Sequence, residues 1–221
     1  MSKHTEQELK EIAAQLKCPN GEKGLKVADN MFQTNTEMLV ESLKYLDLQE
    51  NQKILEIGHG NCKHLQSILS KAENLKYTGL DISDLMNQQA KENNKTEIEN
   101  GQTEFIIYDG ENIPFKENTF DKIVTVNTLY FFKAPINFFS QIAQILKPTG
   151  IFVLTFQEKS FLEKLAFTKY NFRLYDIDEA LITLEKSGLN PMKEILKQGK
   201  VISKLGEEVL RSYYIIPCKL A

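Results

Sequence analysis

Apolar residues recur along this chain at two spacings, and the chain alternates between them. Leu9, Ile12 and Leu16 fall at helical intervals behind Thr5 and Glu8, a capping-box pair. The helix they predict should stop at Cys18-Pro19, and Asn20-Gly21 to Gly24 reads as a turn-rich link. Thr34 and Glu37 make a second capping-box pair, with Met38, Leu39, Leu43 and Leu46 on one helical face behind it. Short apolar runs of strand length follow at Lys53–Ile57, Lys76–Leu80, Glu104–Tyr108, Asp121–Val126 and Ile151–Phe156. Helical spacing separates them. It runs from Cys62 through Leu65, Ile68 and Leu69, then from Ser83 to Glu92, then from Pro135 to Leu146 before a turn at Lys147-Pro148-Thr149-Gly150. Beyond a Phe-, Leu- and Lys-rich stretch at Gln157–Arg173, a helix is expected at Asp176–Ser187. Two strands, Met192–Ser203 and Ser212–Cys218, should then be joined around Gly206.

Strands alternating with helices imply a mostly parallel sheet covered on both faces. The expected fold is α/β, a doubly wound Rossmann-like sheet of seven strands with helices on both faces and an antiparallel strand at its edge. In such a sheet the carboxyl ends of the strands share one edge, where ligands sit. Four consecutive strands here end on glycine or a polar residue: Gly58, Asp81, Asp109 and Asn127. Gly58 and Gly60 would bring bare backbone N–H groups close to a ligand. Glu56 is a carboxylate inside an apolar strand, which is costly unless it accepts hydrogen bonds or faces a cation. It would repel a dinucleotide pyrophosphate but not an ammonium or sulfonium group. Asp81 lies 25 residues past Glu56, a distance suited to a carboxylate that reaches ribose hydroxyls. Asp109, one strand further, is placed to accept from an exocyclic amine. The first two helices could close over this edge, with Asn30, Met31 and Asn35 as candidate contacts.

Charge and composition narrow the classes. The chain has 221 residues and a formal net charge of −3, with both signs mixed along it. No clustered Lys and Arg mark a nucleic-acid footprint, and Lys193–Lys204 reads better as part of a strand pair. No apolar stretch is long enough for a spanning helix, and MSKHTEQELKEIAAQL has no signal-peptide core, so a cytoplasmic protein is expected. The three cysteines, Cys18, Cys62 and Cys218, are far apart and predict no disulfide framework. His59, Cys62 and His64 are close in sequence, but two of them flank a glycine turn and no second ligand cluster exists elsewhere. Packing is the preferred reading, and no metal is expected.

The motifs themselves resemble the class I S-adenosylmethionine-dependent methyltransferases, in particular the small-molecule branch that includes quinone-biosynthesis C-methyltransferases. ILEIGHGNCKHL is similar to the first family motif, an acidic residue followed by spaced glycines. GLDISDLMNQQA resembles the second, YDGENIPFKENTFDKIV the third and LKPTGIFVLTF the late turn and strand. The resemblance covers about Lys53 to Phe156. It departs at Cys62, where a third glycine is usual, at Lys63, which removes the last glycine of a dinucleotide pattern, and at Thr149 in the usual Pro-Gly-Gly. It implies a single domain over 1–221, with a helical lid at 1–50, a cofactor-binding core at 51–156, and a substrate-side insertion, helix and strand pair at 157–221.

The resemblance also implies site roles. Glu56 would orient the glycine loop near the methionine ammonium, and Gly58, His59 and Gly60 would pass beneath the methionine and ribose. Asp81 would take the ribose hydroxyls, and Ile82 would pack on adenine. Asp109 would bind the adenine amino group, flanked by Gly110 and Glu111. Asn127 and Thr128 would lie beside the methionine end. The partner would be a small, partly apolar acceptor methylated by in-line transfer, with no nucleic acid and no membrane span, in a monomer or homodimer. No residue announces itself as a general base; Tyr130 and His59 are the candidates, and Tyr170 and Tyr175 in the insertion are further aromatics near the acceptor. Two rivals stand beside this reading, a non-catalytic cofactor-binding protein of the same fold and a nicotinamide-dependent oxidoreductase.

Overall fold

The computed structural model describes residues 4–202 and 208–221. Two helices come first, α1 (Glu6–Lys17) and α2 (Gly21–Leu43). The core follows as β1 (Lys53–Ile57), α3 (Leu65–Leu69), β2 (Lys76–Asp81), α4 (Asp84–Asn93), α5 (Lys95–Glu99), β3 (Thr103–Ile107), β4 (Phe120–Val126), α6 (Pro135–Ile145) and β5 (Leu146–Gln157). The last third holds α7 (Lys159–Leu162), α8 (Ile177–Glu185), β6 (Leu189–Pro191), β7 (Ile195–Ile202) and β8 (Glu208–Leu220). The strands form one eight-stranded sheet in the order β3-β2-β1-β4-β5-β8-β6, with β7 paired to β8 off this path. The first five strands run parallel, and β8 is antiparallel to β5, β6 and β7.

Side chains alternate across a strand, so neighbours in sequence enter opposite layers of the core. Ile54, Val124, Val153 and Ile215 face one apolar layer with Met38, Leu39, Leu65 and Ile68 of α2 and α3. Leu55, Ile123, Phe152 and Ile216 face the other with Phe138, Phe139 and Ile142 of α6 and Leu184 of α8. Burial on both faces is why the strands read as near-continuous apolar runs.

Four expectations need correction. The link at Gly21–Gly24 and the capping box at Thr34 are absent, because α2 is one helix of 23 residues. Gly24 serves close packing instead: a Cβ there would lie 2.8 Å from Leu85 Cδ2 and 3.0 Å from the Pro19 carbonyl carbon. Thr34 turns its hydroxyl back onto the Asn30 carbonyl, 2.9 Å away, as a mid-helix threonine does. The helix from Cys62 begins only at Leu65. Cys62 sits in the left-handed region at φ 47°, and the Asn61 and Cys62 carbonyls accept from the Asn93 and Asn94 side chains.

The last two concern the sheet. It has eight strands rather than seven, since three-residue β6 was not legible. The antiparallel unit is also not a simple edge pair, because β8 inserts between β5 and β6. Pro148-Thr149-Gly150 lies within the span of β5, where the register with β4 jumps from Phe120↔Leu146 to Lys122↔Ile151. Ser203 and Gly206, part of the expected strand and its turn, lie outside the described residues. No described helix is long and apolar enough to cross a membrane.

Candidate active site at the carboxyl edge of the sheet

Register places the strand ends together. Ile57 pairs with Leu80 and with Thr125, and Asp81 pairs with Ile107. Gly58, Asp81, Asp109 and Asn127 therefore share one edge. Gly58 donates to the Leu80 carbonyl at 2.7 Å with φ +78°, and a Cβ there would run into Thr128 Cγ2. Thr128 is held against the loop through Thr125, whose hydroxyl lies 2.5 Å from that of Thr128 and donates to the Ile57 carbonyl at 2.7 Å. Asn127 occupies φ +59°, a conformation asparagine tolerates, and donates its backbone N–H to the Thr155 carbonyl.

A cavity of about 240 Å³ opens at this edge. Gly58, Gly60, Asp81, Ile82, Asp109, Gly110, Glu111, Asn127, Thr128 and Tyr130 line it, so most of the sequence-predicted site residues converge there. Asp81 is buried and accepts from Gly60 N at 3.0 Å and Ser83 N at 2.9 Å. Both donors are backbone groups, and each carboxylate oxygen keeps a lone pair for a ligand hydroxyl. Asp109 is exposed at the rim. Hydrogen bonds from Asn112 N, from the Asn112 side chain and from Glu111 N pull its carboxyl down to about 2, so it stays ionised. Glu111 pairs with Lys133 at the mouth.

Glu56 and His59 lie elsewhere. They line a side pocket of about 60 Å³ that shares Gly58, Gly60 and Asn35 with the main cavity. Glu56 finds its cation within the chain: His64 Nε2 is 2.8 Å from its Oε2, and the Tyr77 hydroxyl donates to the same oxygen at 2.7 Å. Burial opposes ionisation of both partners. The His64 charge and the bonds from His64 and Tyr77 nonetheless hold the Glu56 carboxyl below its usual range. Against the same burial, the Glu56 charge and the Cys62 sulfur hold His64 well above the usual imidazole value. The charge that sequence reading assigned to a bound ammonium is therefore already matched. The His59 ring is buried against Phe105, 5.0 Å between centroids, and its Nδ1 lies 2.7 Å from the Gly60 carbonyl. Burial keeps it neutral. His59 thus shapes the glycine turn and does not line the main cavity.

Tyr130 does line it. Its hydroxyl donates to Asn127 Oδ1 at 3.1 Å and accepts from Gln157 N at 2.6 Å, and burial drives its pKa far above the ordinary phenol value. It holds its proton and is no base. Tyr170 and Tyr175 are not among the lining residues; the insertion presents Phe161, Leu162, Leu165, Phe167 and Phe172 instead. Met31 and Asn35 of α2 line the cavity as expected, and Asn35 Oδ1 accepts from the Asn127 side chain. Arg211 from β8 also lines the cavity and had no signal in the sequence. Among the described residues one trio could hold a metal ion, and it is Glu56, Cys62 and His64, not the set with His59. Its atoms bond to one another and to Tyr77, with Cys62 Sγ 3.3 Å from the Tyr77 hydroxyl.

Residues 55–154 match the methyltransferase domain family. The chain is 32% identical over 101 residues to YrhH of Bacillus subtilis, named as a methyltransferase, covering 45% of this chain and 52% of that protein. It is 27% identical over 107 residues to a fatty-acid O-methyltransferase of Mycolicibacterium smegmatis, covering 48% of this chain and 37% of that one. The chain thus spans about half or less of the length of these relatives. Among solved structures, a chain from the complex of the Haloferax volcanii Trm112 methyltransferase activator aligns with a TM-score of 0.70 at 16% identity, over 85% of this chain and 92% of that one. The [4+2]-cyclase SpnF aligns with a TM-score of 0.66 at 15% identity, over 85% and 82% of the two chains. The fold is shared with these solved structures, and the matched core, residues 55–154, is similar to the methyltransferase domain family. A methyltransferase domain of this kind implies S-adenosylmethionine as its cofactor. The residues present fit that group, with a glycine cradle under Thr128 and a buried carboxylate at the second strand end.

Proposed function

We propose that this protein binds S-adenosylmethionine along the sheet edge and transfers its methyl group in line to a small, partly apolar acceptor. The carrying observation is one cavity lined by two chemistries: Asp81 and the glycine loop, and the aromatic group of Phe131, Phe161 and Phe172. Asp81 takes the ribose hydroxyls, Ile82 packs on the adenine, and Asp109 accepts from its amino group with Gly110 and Glu111 beside the ring. Asn127 and Thr128 flank the methionine end. Glu56 acts one step removed, by fixing the loop through His64. When bound, the cofactor supplies an electrophilic methyl carbon on a sulfonium. The chain supplies alignment and a water-poor chamber, which is the larger part of such catalysis. In this reading α1 and α2, within residues 1–50, are the lid, residues 51–156 hold the cofactor, and residues 157–221 form the acceptor side. The matched fatty-acid O-methyltransferase, by its name, works on an apolar acceptor, which supports the acceptor class.

A second reading retains cofactor binding without methyl transfer. It is favoured by the likeness to SpnF, which is named for a cyclisation.

Thermal unfolding with S-adenosylmethionine, S-adenosylhomocysteine and NADH tests the cofactor site. A ligand at a hundredfold over its Kd stabilises by about 2.7 kcal/mol, raising Tm by roughly 5–10 °C at this chain length. The two adenosyl compounds should give that shift, Asp81→Asn should abolish it, and NADH should give none. A shift with NADH alone overturns the reading. Labelled methyl appearing in an acceptor product separates transfer from binding only.

A further inference from the structure

Arg211 stands apart from the residues that would hold the cofactor. It is 2% exposed, the largest fully buried side chain among the described residues, and it lines the cavity. Its neighbours in β8 place it beside the end of β5: Tyr213 pairs with Gln157, and Glu158 N donates to the Ser212 carbonyl at 2.9 Å. That is the end where Tyr130 and Asn127 stand, away from Asp109 and the rim. The guanidinium donates through Nη1 to the Thr34 carbonyl at 2.5 Å and through Nη2 to Glu37 Oε2 at 3.1 Å. Both bonds tie α2 to the sheet. Nε, also buried, has no hydrogen-bond partner among the described residues.

A tether between helix and sheet accounts for one bond from each Nη group and leaves Nε unmatched. Glu37 is half exposed, so solvent screens the carboxylate that, among the described residues, is paired with the arginine. A buried guanidinium in a cavity that also presents Phe131, Phe161, Leu165 and Phe172 carries a desolvation cost that a second anion would offset. We propose that Arg211 is the acceptor-binding residue of this site and that the acceptor is an apolar molecule ending in a carboxylate. This rests on the methyl-transfer reading above. A cationic acceptor would be repelled, and an acceptor without an anionic oxygen would leave the charge as poorly matched as before.

The same assignment accounts for the lack of a base. Tyr130 keeps its proton and the His59 ring does not reach the cavity. A carboxylic acid, with a reference pKa near ~4, arrives already ionised. Its oxygen gives an electron pair to the methyl carbon as the carbon–sulfur bond breaks. The carboxylate's negative charge and the sulfonium's positive charge cancel, giving a methyl ester and a neutral thioether, and no proton moves.

The test uses calorimetry on the full chain saturated with S-adenosylhomocysteine, with decanoate and cinnamate titrated against decanol, decylamine, cinnamyl alcohol and cinnamylamine. At least one acid should bind, at least tenfold tighter than its alcohol or amine. Arg211→Gln should weaken that acid at least tenfold, Arg211→Lys should restore part of the loss, and S-adenosylhomocysteine affinity should hold in both. With S-adenosylmethionine, the methyl ester should appear by mass spectrometry at a rate that is flat from pH 6 to 9. Binding of neither acid, equal binding of acid and alcohol, or an acid affinity unchanged in a folded Arg211→Gln each overturns the proposal. If Arg211→Gln does not fold, the wild-type order of acid over alcohol and amine decides. Failure of the wild type to bind S-adenosylhomocysteine removes the underlying reading instead, and is read independently of the acids.

Discussion

Glu56 shows how a single side chain reads differently before and after folding. In the sequence it is a carboxylate stranded in an apolar strand, and physical chemistry demands a partner for it. His64 and Tyr77 supply that partner from eight and twenty-one residues away. The pair has a pH signature whose sign follows from the two shifts. His64 is raised in the fold, so its contribution is complete below about 6.5 and is lost as pH rises through its folded value. Glu56 is lowered, so its contribution is complete above about 4.5 and is lost as pH falls through its folded value. Stability from the pair is thus greatest between those limits. Urea unfolding at pH 6 and pH 9 should show a larger loss for the wild type than for His64→Asn. Equal losses would mean that no charged pair exists there.

At the scale of elements, α2 is where local signals misled. Gly21, Gly24 and a Thr-x-x-Glu pattern all argue for a break, and each has another use in the folded chain. Gly24 lets α4 approach through Leu85, Thr34 offers its carbonyl to Arg211, and Glu37 pairs with the same arginine. Tertiary packing overrides weak local preference. The result is a continuous helix whose Met31, Thr34 and Asn35 all line the cavity. Such a helix should lose mobility when the cavity fills. Amide exchange across residues 21–43 is expected to slow at least tenfold with S-adenosylhomocysteine, while α8, on the opposite layer, stays unchanged. No change in α2 would remove its role as a lid.

For the whole molecule, β8 decides the architecture. It is bonded to three other strands, and it carries Tyr213, Ile215 and Ile216, each at most 1% exposed, into both core layers. Burying each such side chain stabilises by about 1.5–3 kcal/mol, so together they approach the 5–15 kcal/mol that holds a typical domain folded. A chain ending at residue 207 should show no cooperative unfolding transition by circular dichroism. A cooperative melt of that chain would show that β1 to β5 form a self-sufficient unit.

By itself the sequence determined the five parallel strands, the edge that their ends share, and the residues Gly58, Asp81, Asp109 and Asn127 presented there. Those features depend on alternation and glycine placement within a few residues, where burial leaves a periodic trace. The tertiary structure alone decided what those residues meet. It gave Glu56 its histidine, kept α2 whole, set β8 between β5 and β6, and brought Arg211 into a cavity whose other lining residues all precede residue 173. Contacts of that kind are chosen by packing and charge between elements far apart in sequence, and a polar residue on a strand carries no local mark of which distant partner will satisfy it.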